Sequence, residues 1–369
     1  MNIELSGPDI TQAEIDAVAA VMRSGRLSLG PAVPQFEAAV AGYVGAKHAV
    51  AVSSGTCGLH LLVRALEIGH GHEVITTPFS FVASSNCVLF EHARVKFVDI
   101  DPQTWNIDGG KIEKAITPKT KAIIAVNVFG QPADFDVINS LSRKHNLRVI
   151  EDSCESLGAK YKGRMSGTLA DAGCFGFYPN KQITTGEGGM IVTNDDEIAR
   201  VCQSMRNQGR DGGMGWLSHQ RLGYNYRLSD IACAIGTVQM QRVAEILGKR
   251  ARVAKLYRDR LGGESRLSMQ KINQECEISW FVFVVKLADK YTRDDRARLI
   301  TALRERGIGC SNYFSPIHLQ DFYVKKDGYK EGDFPVCERV ADRTIALPFH
   351  NNLGEKEIDH VCKTLVSLL

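Results

Sequence analysis

The sequence predicts an α/β protein: a large domain on a mostly parallel sheet over residues 1–245, then a smaller C-terminal α+β domain over 246–369. Three observations carry this. From Thr11 to about Asn194, short β-rich runs alternate with helical patterns, the rhythm of strand, crossover and strand. A helical region from Leu228 to about Leu261 ends that rhythm. A polar, Gly-containing stretch follows, and the last hundred or so residues read as helix, strand and closing helix. A chain of 369 residues has ample core for two unequal domains and carries neither an internal repeat nor a low-complexity segment.

Taken in order, Thr11 and Glu14 form a capping-box signature, and Ile15, Val18 and Met22 continue it as one helical stripe. Leu59, Leu62, Val63 and Leu66 fit the i, i+3, i+4, i+7 pattern, so a helix is expected over 56–67, opening just after Ser53-Ser54-Gly55. Strands are expected over 49–52, 73–76, 95–98, 122–126, 148–150 and 190–193, with helices between them, and over 280–287 in the smaller domain. Ile358, Val361, Cys362 and Leu365 mark the closing helix. Chemistry in such an architecture belongs at the carboxyl ends of the strands, in the cleft between the domains.

Composition narrows the function. With 44% hydrophobic and 24% charged residues the chain reads as globular, and 45 basic against 42 acidic residues, scattered in sign, leave no nucleic-acid footprint. The most apolar run, 280–285, is far too short to cross a bilayer, and residues 1–8 hold an acid and no signal core, so a soluble cytoplasmic protein without membrane partner is expected. The ten cysteines form no Cys-x-x-Cys pair; most, such as Cys87, Cys202, Cys233 and Cys362, sit in apolar stretches and read as reduced, buried small hydrophobes.

Four segments could carry chemistry. Ser53 to Gly58 lies between a strand and a helix start, a place for an anion on free backbone amides or for a simple Ser cap without ligand. Neither a Gly-x-Gly-x-x-Gly after a strand nor a Walker sequence occurs, which removes dinucleotide and P-loop readings. Glu151-Asp152 ends a central strand, where a buried carboxylate either meets a cation, such as a protonated heterocyclic nitrogen, or caps a turn. Lys181 lies between an aromatic, Pro-containing run and Gly186-Glu187-Gly188-Gly189; held and partly desolvated there, it is a Schiff-base candidate. His70 and His72 flank a glycine in a polar turn without a third ligand, so no metal is expected, and His318 reads equally as structural or functional.

Taken together, these segments resemble the DegT/DnrJ/EryC1/StrS group of pyridoxal phosphate-dependent nucleotide-sugar aminotransferases. The resemblance runs over nearly the whole chain, through Gly30-Pro31, Ser54-Gly55-Thr56, Thr77-Pro78-Phe79-Ser80-Phe81, Gly130-Gln131-Pro132, Ile150-Glu151-Asp152, Lys181 with its glycine-rich turn, Gly223-Tyr224-Asn225-Tyr226-Arg227 and Leu347-Pro348. It implies the type I aminotransferase fold and a homodimer with shared active sites. It also implies pyridoxal 5'-phosphate (PLP) held covalently by Lys181, which then shuttles the proton, with Asp152 on the pyridine nitrogen and Phe81 stacked on the ring. By the same likeness the amides of Thr56 and Cys57, beside Gly55, hold the phosphate, Asn225 and Arg227 reach in from the partner subunit, and Tyr313 and His318 lie on the substrate side.

Two positions depart from the family's commoner pattern: Gly176 replaces a serine that bonds the phosphate, and Glu155 stands where a glutamine approaches the ring hydroxyl. The implied reaction moves an amino group from glutamate to the C4 keto group of a nucleotide-linked deoxy sugar, in amino-sugar and polysaccharide biosynthesis. Amination at C3 is the variant. A dehydratase of the same fold resembling this chain carries histidine in place of the lysine, so Lys181 argues against it. A non-catalytic regulator on the fold would bind no chromophore.

Overall fold

The computed structural model describes residues 1–211 and 218–369. Its large sheet has seven strands in the order His48–Val52, Gly189–Thr193, Ala172–Gly176, Arg148–Asp152, Thr120–Val126, Glu73–Thr76 and Arg94–Phe97. Gly189–Thr193 pairs antiparallel with both neighbours, and every other pairing in the sheet is parallel, so one reversed strand sits in an otherwise parallel sheet. Arg148–Asp152 occupies the centre, so its carboxyl end is where the sheet presents a residue to a crevice.

Both faces of this sheet are covered, which is why its strands read as unbroken apolar runs. Val50, Val52, Ala122, Ile124 and Ile150 pack against helices Gly55–Ala65 and Asp196–Arg206. The alternate residues Ala49, Ala51, Ile123, Ala125 and Val149 face the other way, toward Ala32–Val44 and Phe135–His145. The smaller sheet is antiparallel, in the order Leu267–Met269, Phe283–Leu287, Thr344–Leu347. Helices Arg293–Glu305 and Glu355–Leu368 cover it.

One helix joins the two cores. Val243–Leu261 contributes Val243 and Ile246 to the large core and Val253, Ala254, Tyr257 and Leu261 to the small one. The first residues of the chain pack with the C-terminal part: Ile3 donates to Gly307 at 2.8 Å and lies in the small core.

Three local expectations need correction. The helical region from Leu228 is two helices, Asp230–Gln241 and Val243–Leu261, meeting at Arg242. Strand Ala172–Gly176 went unread because three of its five residues are Gly or Ala; Gly173 is required there, since a Cβ would stand 2.4 Å from the Gly167 carbonyl oxygen. Helix Gln12–Ser24 keeps its capping box but turns the other way: Ile15 and Met22 are each 54% exposed, while Glu14 is buried. Glu14 accepts from Gln239 at 2.7 Å and Arg242 at 2.8 Å, and charge-assisted bonds to a buried carboxylate outweigh the apolar stripe. Among the described residues, no helix is long and apolar enough to cross a membrane.

Candidate active site

Successive residues of a strand point to opposite faces, and this separates the two acids at the end of Arg148–Asp152. Glu151 turns into the protein, where it accepts from Asn127 Nδ2 at 2.8 Å, Ser166 Oγ at 3.1 Å, Gly167 N at 2.7 Å and Leu169 N at 2.9 Å. Burial pushes its carboxyl above the usual range although these donors pull it down. Asp152 turns toward a cavity of about 620 Å³. Ser84 Oγ donates to its Oδ2 at 2.6 Å and the Cys154 amide to its Oδ1 at 3.2 Å, and no cation of the described residues pairs with it.

The floor of the cavity is the start of helix Gly55–Ala65. Ser54 caps it by accepting from Cys57 N at 3.1 Å, so the Cys57 amide already has a partner. The amides of Gly55 and Thr56, in the first turn, face no carbonyl of their own helix. Gly55 has to lack a side chain: a Cβ would stand 2.7 Å from Cys154 Sγ. Gly176 sits beside it on the neighbouring strand, with Cys154 filling the space below.

Lys181 lies on the connection between Ala172–Gly176 and the reversed strand Gly189–Thr193. Its Nζ is 3.9 Å from the centre of the Phe281 ring and 3.7 Å from Glu155 Oε1, beyond hydrogen-bond reach of any carboxylate. Glu155 is buried; its other oxygen accepts from Phe129 N at 2.9 Å, and burial raises its carboxyl above the ordinary range against the pull of the lysine. Tyr313, its hydroxyl raised by burial, closes the side of the cavity.

The structure therefore brings Gly55, Thr56, Phe81, Asp152, Glu155, Gly176, Lys181 and Tyr313 to one cavity. Phe81 stands at its edge, 61% exposed. Four sequence-predicted residues lie outside the lining. Cys57 is turned from it, its amide held by the Ser54 cap. His318 is fully buried, with Nε2 2.9 Å from Glu338 Oε1 and its ring edge-on to Phe334. Asn225 is exposed on a short bridge to Asn207, and Arg227 donates to Asn207 Oδ1 at 3.0 Å.

Sequence reasoning missed Ser84 and Phe281. Ser84 carries no signal beyond helical spacing from Ser80, to which it is bonded at 2.8 Å; Phe281 sat inside the predicted strand 280–287, which begins only at Phe283. The two histidines of the polar turn serve the turn: His72 Nδ1 accepts from Gly69 N at 3.2 Å. Among the described residues no cluster of His, Cys, Asp and Glu could hold a metal ion.

This set fits PLP. A buried carboxylate without a cation suits a protonated ring nitrogen, two free amides at a helix start suit a phosphate, and a lysine that meets a carboxylate, Glu155, only at 3.7 Å suits a covalent link. Residues 8–366 match the DegT/DnrJ/EryC1/StrS aminotransferase family. The chain is 38% identical over 371 residues to GDP-perosamine synthase of Caulobacter vibrioides, covering 100% of this chain and 98% of that protein. Helicobacter pylori PseC, an aminotransferase involved in the biosynthesis of pseudoaminic acid, superposes with a TM-score of 0.94 at 28% identity, over 100% of this chain and 99% of the other. Streptococcus pneumoniae Spr1654 in its PLP-form gives a TM-score of 0.94 at 28% identity, over 100% and 98% of the two chains. The fold is that of the type I PLP-dependent aminotransferases, and the chain belongs to the DegT/DnrJ/EryC1/StrS aminotransferase family.

Proposed function

We propose that this chain, a PLP-dependent sugar aminotransferase, takes an amino group from glutamate and delivers it to the C4 keto group of a nucleotide-linked deoxy sugar. The observation that carries the reading is the pairing across one cavity of Asp152, buried without a cation, and Lys181, an amine held no closer than 3.7 Å by its carboxylate neighbour Glu155. Bound PLP supplies an electron sink for the carbon that loses its proton. Asp152, fixed by Ser84 and the Cys154 amide, holds a proton on the ring nitrogen. Gly55 and Thr56 bind the phosphate through their amides, and the exposed Phe81 ring supplies an apolar face for the heterocycle. Lys181 would carry the covalent link to the cofactor, and its amine, over the Phe281 ring, would be the group that moves a proton on the substrate carbon.

The chain acts as a cytoplasmic homodimer in which Asn225 and Arg227 serve the partner's site. Their place outside this chain's own cavity supports the reading, as do the exposed apolar residues Ile15, Met22, Leu27 and Leu29, a face that suits a second copy. Two tests apply. Incubation of the holoenzyme with glutamate and a panel of 3-keto and 4-keto nucleotide sugars should give an amino sugar from a 4-keto substrate; a protein that binds PLP and aminates none of them ends the reading. Lys181→Ala and Asn225→Ala chains, each impaired, should regain about a quarter of wild-type activity when reassembled in equal amounts, since about half the dimers are mixed and hold one intact site each. No recovery above the parents' average rules out shared sites.

A further inference from the structure

Arg250 is 2% exposed, and no carboxylate pairs with it among the described residues. A cation is expensive to bury without a counter-ion, so its contacts show what it is kept for. Nη2 donates to the Lys181 carbonyl at 2.5 Å and to the Asn180 carbonyl at 3.3 Å, and Nη1 donates to the Phe281 carbonyl at 3.2 Å. Phe281 is the residue whose ring lies 3.9 Å from Lys181 Nζ. The planar fork thus grips the peptide that carries the lysine and the residue that supports its amine, one from each side of the cleft. The guanidinium also lies on the Phe349 ring, 5.5 Å from its centre, and its Nε makes no hydrogen bond. Arg250 itself sits on Val243–Leu261, the helix that joins the two cores.

We infer that Arg250 is the positioning residue for Lys181: it fixes the lysine's backbone and the Phe281 platform in one frame. The inference rests on the reading that Lys181 holds the cofactor. Burial lowers the guanidinium itself to about 10, so it stays charged at neutral pH. The other groups facing the amine are Glu155 at 3.7 Å, with Asp152, Tyr178 and Tyr313 on the remaining walls. Around Arg250, Asp9 acts only at longer range, its own oxygens being taken by Arg242, Lys249 and Asn351, and His350 is lowered first by its burial and then by the arginine's charge.

The experiment uses the holoenzyme with Arg250→Met and Arg250→Lys, and reads kcat and KM. Loss of the frame in Arg250→Met should lower kcat by about tenfold or more, with KM for the keto sugar little changed. Arg250→Lys loses the planar fork as well, so kcat should fall there too. A wild-type kcat in Arg250→Lys or in a folded Arg250→Met, or a loss that appears in KM rather than kcat, overturns the inference. Should Arg250→Met fail to fold, kcat of Arg250→Lys decides alone. Borohydride reduction of the wild type separates the two levels: cofactor trapped on another lysine, or on none, overturns the reading of Lys181 itself.

Discussion

Two buried polar clusters use the same side-chain types and complete them differently. Near the N-terminus, Asp9 gives one oxygen to Arg242 at 2.8 Å and the other to Lys249 at 2.9 Å and Asn351 at 3.0 Å. Glu14 is filled as well, by Gln239 and Arg242 on one oxygen and by the Thr11 amide and hydroxyl on the other. In the cavity, Asp152 meets a hydroxyl and an amide but no cation, and the Lys181 amine stops 3.7 Å short of Glu155. A polar cluster closed on itself holds a fold, whereas one left with open valences is waiting for a ligand to close it.

That contrast can be broken most directly at Lys181. Lys181→Ala should remove turnover, a loss of at least about 10³-fold, while PLP still binds without a covalent link and the melting temperature of the apoprotein barely moves. Turnover within tenfold of wild type would put the lysine among the structural residues. Asp152→Asn should lower kcat by about 10 to 100-fold, the loss of a charge-assisted contact of about 1.5–3 kcal/mol, again with small change in denaturant midpoint. Near-normal kcat would make Asp152 a turn cap.

Its neighbour sharpens the comparison. Glu151→Gln sets an amide NH₂ against one backbone donor, Gly167 N–H at one oxygen or Leu169 N–H at the other, and should cost about 1–3 kcal/mol in urea unfolding while kcat of the folded enzyme stays within about twofold. A large kcat loss without loss of stability would reverse the assignment of the two acids.

The smallest effect belongs to the closed knot and shows only in acid. Burial alone would raise the Asp9 carboxyl, but bonds from Arg242, Asn351 and Lys249 bring it down from 3.8 to about 2. A carboxyl depressed by folding stabilises the protein above its unfolded value and loses that contribution as pH falls through the folded one. Wild type and Asp9→Asn should therefore differ in thermal midpoint at pH 6 and converge as pH falls from about 4 to about 2. A difference constant over that range would show that the knot does not act through the charge.

Much of this was legible in the sequence, because each signal has a local cause. The strand at 73–76 and the capping box at Thr11 and Glu14 depend on neighbours in sequence, and Asp152 and Lys181 stand at a strand end and beside a glycine turn. What stayed hidden depends on distant partners. Strand direction leaves no trace in periodicity, so the reversal of Gly189–Thr193 could not be read. The partner of His318 could not be read, because nothing near it announces Glu338, twenty residues on. Arg250 did leave a mark: it falls on the buried stripe of Val243, Ile246, Val253 and Tyr257, and a charge on the apolar face of a helix signals a specific partner.

The reversed strand has a consequence for how the site assembles. Because Ala172–Gly176 and Gly189–Thr193 are antiparallel neighbours, with Gly176 opposite Gly189, the stretch bearing Lys181 is a closed local loop, tied further by Phe177 N to Gly188 O at 2.9 Å. Its closure entropy is small. Asp152 reaches Ser84 across a sequence separation of 68, and Arg250 reaches Lys181 across 69. The lysine's arm can thus form early from short-range contacts, while the carboxylate and the clamp wait for distant parts of the chain to dock. The loop of Lys181 can take its shape before the cavity around it exists.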